Sequence, residues 1–109
     1  MEQYTVSLTR PAVRDLGEIT YHVAHILKVP QTARNLRDAL EQGILSLSQF
    51  PARCPLVSDM PYRQKGVRRL LVENYAVFYL VDKDRRMVSI LRILYNRREW
   101  QRFLEESYE

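Results

Sequence analysis

The chain has 109 residues, 46% of them hydrophobic and 28% charged, with a formal net charge of +4. That length suits one soluble domain spanning residues 1–109, large enough to bury a core without a disulfide or metal staple. No apolar run approaches the ~18–20 residues of a membrane span. Met1 is followed by Glu2, not by a basic-then-apolar leader, so a cytoplasmic chain without membrane contact is expected. Cys54 is the single cysteine, which excludes an internal disulfide, and three glycines leave no Gly-rich phosphate loop of the P-loop or Rossmann kind.

In chain order, Tyr4 to Leu8 alternates apolar with polar residues and predicts a short strand. Thr9 offers an N-cap oxygen and Pro11 suits a first helical turn, where its missing N–H costs nothing. Apolar residues at Ala12, Val13, Leu16, Ile19, Val23, Ile26 and Leu27 then keep helical spacing as far as Pro30. A second stripe (Ala33, Leu36, Leu40, Ile44, Leu47, Phe50) runs to Pro51, so the two helices form an antiparallel hairpin. Three prolines between Pro51 and Gly66 mark irregular chain, with an extended piece near Leu56 and Val57.

Val67–Val72, Tyr75–Val81 and Val88–Tyr95 read as strands, the second apolar on both faces as a covered central strand would be. Asp82 to Arg85 reads as a hairpin turn. Asn96 and Glu99 form a capping-box pair ahead of a terminal helix whose apolar face is Trp100, Phe103 and Leu104. The expected fold class is therefore α+β: a short N-terminal strand, a helical hairpin packed on a small antiparallel sheet, and a short C-terminal helix.

Charge is unevenly placed. From Arg63 to Arg102 eleven basic residues face four acidic ones, a local excess of seven, while the rest of the chain is net negative. Such a field attracts polyanions or an acidic partner, though an arginine-rich solvated surface is the plain alternative. Arg68, Arg69, Arg92, Arg97 and Arg98 are the candidates for binding an anion or target, because guanidinium grips carboxylate or phosphate in bidentate fashion. Tyr95 and Arg97 close the last strand, and Arg98 opens the terminal helix. Arg68 and Arg69 fall on opposite faces of one strand. His22 and His25 stand three apart but have no further ligand pair, so no metal and no cofactor is expected, and Cys54 lacks a partner base. Glu73 reads as an ion-pair partner of Arg68, Arg69 or Arg92.

The run Val67 to Asp82, followed by Val88 to Tyr95 and Arg97-Arg98-Glu99-Trp100, resembles the RelE/ParE family of bacterial toxins. The front half agrees: a strand ending near Thr9, Ala12 with Asp15-Leu16 opening a helix, and Leu47 with Phe50-Pro51 ending the hairpin are similar to the family's plasmid-stabilisation branch. The resemblance implies the toxin of a type II toxin–antitoxin system, bacterial and cytoplasmic, held inactive by a cognate antitoxin through which DNA contact mainly runs. RelE-like members cleave mRNA on the ribosome, and ParE-like members poison DNA gyrase.

RelE-like nucleases tend to carry an arginine after the central-strand tyrosine and a tyrosine or histidine late in the tail. Here Ala76 follows Tyr75, and Phe103 stands in the late region. These departures and the long helical hairpin favour the ParE-like branch and a gyrase-directed, protein-binding toxin. The alternative is a metal-independent endoribonuclease using Arg69, Tyr95 and Arg97. A non-toxic relative that only sequesters its partner stays open as a third reading. Val23, Leu27, Leu36 and Leu40 are candidates to line an antitoxin groove, with ordinary core as their plain alternative, and an acidic antitoxin tail is expected on the basic half.

Overall fold

The computed structural model describes residues 3–96 and Leu104. Its elements are β1 (Thr5–Leu8), α1 (Arg10–Tyr21), a π-helical turn (His22–Ile26), α2 (Pro30–Ser46), a 3-10 turn (Pro51–Arg53), β2 (Arg68–Val72), β3 (Tyr75–Asp82) and β4 (Met87–Tyr95). The α+β architecture is the one expected. The expected terminal helix falls on residues outside those described, apart from Leu104, which is helical and fully buried.

Thr9 caps α1 as its sequence position suggests: its hydroxyl accepts a hydrogen bond from the Ala12 N–H at 3.3 Å. The same hydroxyl donates to the Leu91 carbonyl at 2.8 Å, tying the start of α1 to β4. The first helix does not stay α-helical to Leu27. After Tyr21 it widens, with the Leu27 N–H bonded to the His22 carbonyl at 3.0 Å and the Val29 N–H to that of Val23 at 3.2 Å. The cause is Pro30, which drives Val29 out of helical backbone (φ −127°, ψ 72°), so the chain must reverse just before it. Lys28 makes that reversal in the left-handed region, at φ 58°.

The four strands lie in the order β1-β4-β3-β2. The β2/β3 and β3/β4 pairs are antiparallel, but β1 runs parallel to β4, with Thr5 opposite Met87 and Leu8 opposite Ile90. The sheet is therefore mixed and not wholly antiparallel. A four-residue strand has no register signal of its own, and its long connection lets it dock on whichever edge the later hairpin leaves free.

Both faces of the sheet are covered, as the two-sided apolar pattern of β3 predicts. One face carries Tyr79, Val77, Ile90 and Ile93 beneath Ala12, Leu40, Ile44 and Leu47 of the helical layer. The other carries Ala76, Phe78, Leu91 and Leu94 beneath Val57, Tyr62 and Val67 of the irregular segment, with Leu104. Leu56 forms an isolated bridge to Arg68, which is the extended piece expected there. Gly43 lets α2 approach the sheet: a Cβ there would lie 2.8 Å from Cγ2 of Val72. Among the described residues no helix is long and apolar enough to cross a membrane.

Candidate functional site

Strand β1 stops opposite Ile90, which leaves the rest of the β4 edge without a strand partner. The N-terminal half of α1 takes its place. Asp15, buried in that half, accepts the Ile93 N–H at 2.9 Å through Oδ2. Its two oxygens also receive Arg92 Nε at 2.7 Å and a terminal nitrogen of Arg92 at 2.8 Å. Arg92 is only 8% exposed, so this candidate for anion binding is instead committed to a bidentate internal ion pair.

Beyond this pair, the end of the hairpin stands over the start of β3 and the end of β4. Two adjoining clefts lie there, of about 510 and 400 Å³, and they share Val23, Leu27, Tyr75 and Tyr95. Ile19 and Ile93 extend the first, Val29 and Leu36 the second. The widened turn positions Val23 as a buried floor and leaves Leu27 57% exposed on the wall. Tyr75 and Tyr95 face each other across the β3/β4 pair, their rings edge-to-face with centroids 5.7 Å apart. Burial, and then the neighbouring Tyr95, pushes the Tyr75 hydroxyl above its ordinary pKa. Three of the four groove candidates thus come together. Leu40 does not: it is 0% exposed and belongs to the core between α2 and the sheet.

Among the described residues the charged lining of this groove is acidic, with His22 beside it in the first cleft. Asp15 is neutralised by Arg92, but Glu18 and Glu73 are exposed on the rim and make no ion pair among the described residues. Glu73 sits in the β2–β3 turn with φ 53°, away from the arginines expected to hold it. Arg68 instead donates to the Cys54 carbonyl at 2.6 Å.

The arginines of β2 diverge as alternation requires. Arg68 is level with Tyr79 on the helical face, and Arg69 is level with Phe78 on the opposite face. Tyr95 shares the helical face through its contact with Tyr75, so Arg69 and Tyr95 lie on opposite sides of the sheet. Arg97 and Arg98 fall outside the described residues. Arg63, Lys65, Arg68 and Lys83 line a separate polar cleft of about 780 Å³, together with Asp82 and Asp84. His22 and His25 are both exposed, the latter with its ring 4.6 Å from that of Tyr21. Cys54 is a buried free thiol. Among the described residues no group of three His, Cys, Asp or Glu side chains is placed to hold a metal ion.

Sequence reading missed two participants. Asp15 stands in the sequence only as part of the Asp15-Leu16 opening of the first helix, with nothing local to mark it as a partner of Arg92. The Tyr75–Tyr95 pair was visible in principle, because closing the hairpin at Asp82–Arg85 puts the start of β3 opposite the end of β4.

A helical hairpin laid on a four-stranded sheet of this order is the fold of RelE/ParE toxins. Solved structures share it. A chromosomal ParDE toxin–antitoxin system from P. aeruginosa aligns over 87% of this chain and 98% of that one, with TM-score 0.71 and 24% identity. The RelBE2 toxin–antitoxin complex of Mycobacterium tuberculosis aligns over 85% and 98%, with TM-score 0.63 and 24% identity. A mutant of E. coli toxin RelE in the free state aligns over 97% and 90%, with TM-score 0.56 and 14% identity. No curated protein sequence matches the chain. The family model of the ParE toxin of the type II toxin–antitoxin system parDE matches residues 6–100, and the chain belongs to that family.

Proposed function

We propose that this toxin inhibits DNA gyrase by binding it as a protein surface, and that its cognate antitoxin silences it by seating a segment in the groove of Val23, Leu27, Leu36, Tyr75 and Tyr95. The observation that carries the first half is the separation of two of the three nuclease candidates, Arg69 and Tyr95, together with the burial of the anion-binding candidate Arg92. A metal-free ribonuclease needs its cation and its proton-transfer group within a few ångströms of one phosphate. Arg69 and Tyr95 lie on opposite faces of the sheet, and Arg92 is buried against Asp15. The match to a ParE family model supports the same direction.

The second half rests on exposed apolar side chains gathered at a concave place. Leu27, Val29 and Tyr95 are each at least 40% exposed beside the buried Val23. An extended or helical segment with apolar anchors is the usual occupant of such a groove. Its folding onto the toxin would cover the hairpin end and couple inhibition to complex formation.

Two assays on the purified chain test the target. One follows supercoiling of relaxed DNA by gyrase with ATP, and the other follows mRNA on ribosomes programmed with a defined A-site codon. Loss of supercoiling or trapped cleaved DNA, with intact mRNA, is the expected result. Codon-positioned mRNA cuts would overturn it and make Arg69, Tyr95 and Arg97 the first residues to mutate.

A further inference from the structure

The groove differs in sign from the protein that carries it. The chain is net positive, and its excess is concentrated between Arg63 and Arg102. Yet among the described residues the acidic and basic side chains lining the two groove clefts are three carboxylates, Asp15, Glu18 and Glu73, with the His22 imidazole beside the first two. Arg92 cancels the first at 2.7 Å, while Glu18 on α1 lines the first cleft and Glu73 in the β2–β3 turn the second, neither with an ion pair among the described residues. Among the described residues no lysine or arginine lines either cleft, and Lys28, exposed at the hairpin turn, is not among their walls. An apolar floor flanked by two carboxylates that pair with no described residue favours an occupant with cations beside its apolar anchors, since like charges across an interface cost binding energy and opposite ones steer it.

We propose that the antitoxin segment seated in this groove is amphipathic and basic: apolar side chains enter between Val23, Leu27, Tyr75 and Tyr95, and flanking lysine or arginine side chains meet Glu18 and Glu73. The inference rests on the groove being the antitoxin's seat and adds the sign of what sits there. It separates this segment from an acidic stretch bound elsewhere on the arginine-rich half of the chain. The rim carboxylates act on rate and register, and the apolar anchors supply most of the affinity.

The experiment measures dissociation constants between the full chain and its purified cognate antitoxin at low and at high salt. The variants are Glu18→Lys/Glu73→Lys, the milder Glu18→Gln/Glu73→Gln, and Leu27→Asp, each checked for folding by circular dichroism. The charge reversal should weaken binding about tenfold at low salt, with the loss shrinking as salt screens the pairs. The amide pair should show a smaller loss of the same sign, and it carries the test if the lysine pair folds poorly. Leu27→Asp should weaken binding more, at either salt.

Unchanged or tighter binding by both charge variants, with Leu27→Asp still impaired, overturns the basic segment and leaves the groove reading standing. Unchanged binding by Leu27→Asp overturns the groove reading itself. If the isolated chain is a dimer that Leu27→Asp dissociates without touching antitoxin affinity, the occupant is a second copy and the proposal falls.

Discussion

Asp15 and Arg92, 77 residues apart in sequence, meet in a bidentate ion pair that joins the first helix to the last strand. The carboxylate serves two donors at once, because it also takes the Ile93 N–H that β1 is too short to reach. The pair therefore replaces a missing strand partner at the point where the groove begins.

Removing Asp15 takes from the buried Arg92 guanidinium both hydrogen bonds it makes to that carboxylate, and removing Arg92 takes the paired cation from the buried carboxylate. Asp15→Ala should destabilise the chain by about 3–5 kcal/mol, a large share of the roughly 5–15 kcal/mol of a typical domain. Arg92→Ala should cost less than Asp15→Ala, since Asp15 keeps the Ile93 N–H. The double variant Asp15→Leu/Arg92→Met should recover only part of the loss, because that N–H is then unpaired at about 1–3 kcal/mol. Urea unfolding of the four proteins checks the ordering, and full recovery in the double variant would show that the Ile93 contact contributes nothing.

Two helical glycines should respond in opposite directions. Gly17 has nothing within 4 Å of a built Cβ, so Gly17→Ala should stabilise by up to about 1 kcal/mol through helix propensity. Gly43 faces Val72 at 2.8 Å, so Gly43→Leu should destabilise by about 1–3 kcal/mol as α2 is pushed off β2. Thermal melts of the two variants give the comparison directly.

The Tyr79 hydroxyl donates to the Pro51 carbonyl at 2.6 Å inside the core. Burial first, then its hydrogen bond with Cys54, raises its pKa above the ordinary value of 10.0. In the folded chain Tyr79 thus holds its proton after the unfolded chain has begun to lose it, so unfolding releases protons at alkaline pH. The stabilisation from the neutral hydroxyl is fully present below about pH 10 and is lost as pH rises through the folded value. Tyr75, raised by burial and by Tyr95, adds to the same alkaline loss. Tyr79→Phe should cost about 1–3 kcal/mol at neutral pH by stranding the Pro51 carbonyl, and should flatten the decline above pH ~10. Denaturant titrations across that range read both effects.

Two leucines expected to share a groove should behave as different kinds of residue. Leu27 is 57% exposed, so Leu27→Asp should change stability by no more than about 0.5 kcal/mol. Leu40 is 0% exposed, so Leu40→Ala should cost about 2–5 kcal/mol and affect antitoxin binding only through folding. Equal stability losses in the two variants would contradict this division.

By itself the sequence determined what local chemistry controls. Thr9 and Pro11 set the start of α1, Pro30 set the start of α2, and the two-sided apolar run of β3 announced a central strand, because caps, prolines and side-chain periods act within a few residues. Resemblance along nearly the whole chain was enough to anticipate the toxin family. Tertiary structure decided everything that depends on which distant segments meet. The parallel docking of β1, the burial of Arg92 against Asp15, the separation of Arg69 from Tyr95 and the loss of Leu40 to the core all follow from pairings tens of residues apart. An arginine reads the same in sequence whether its guanidinium faces solvent or a buried carboxylate, since only the fold brings that carboxylate to it.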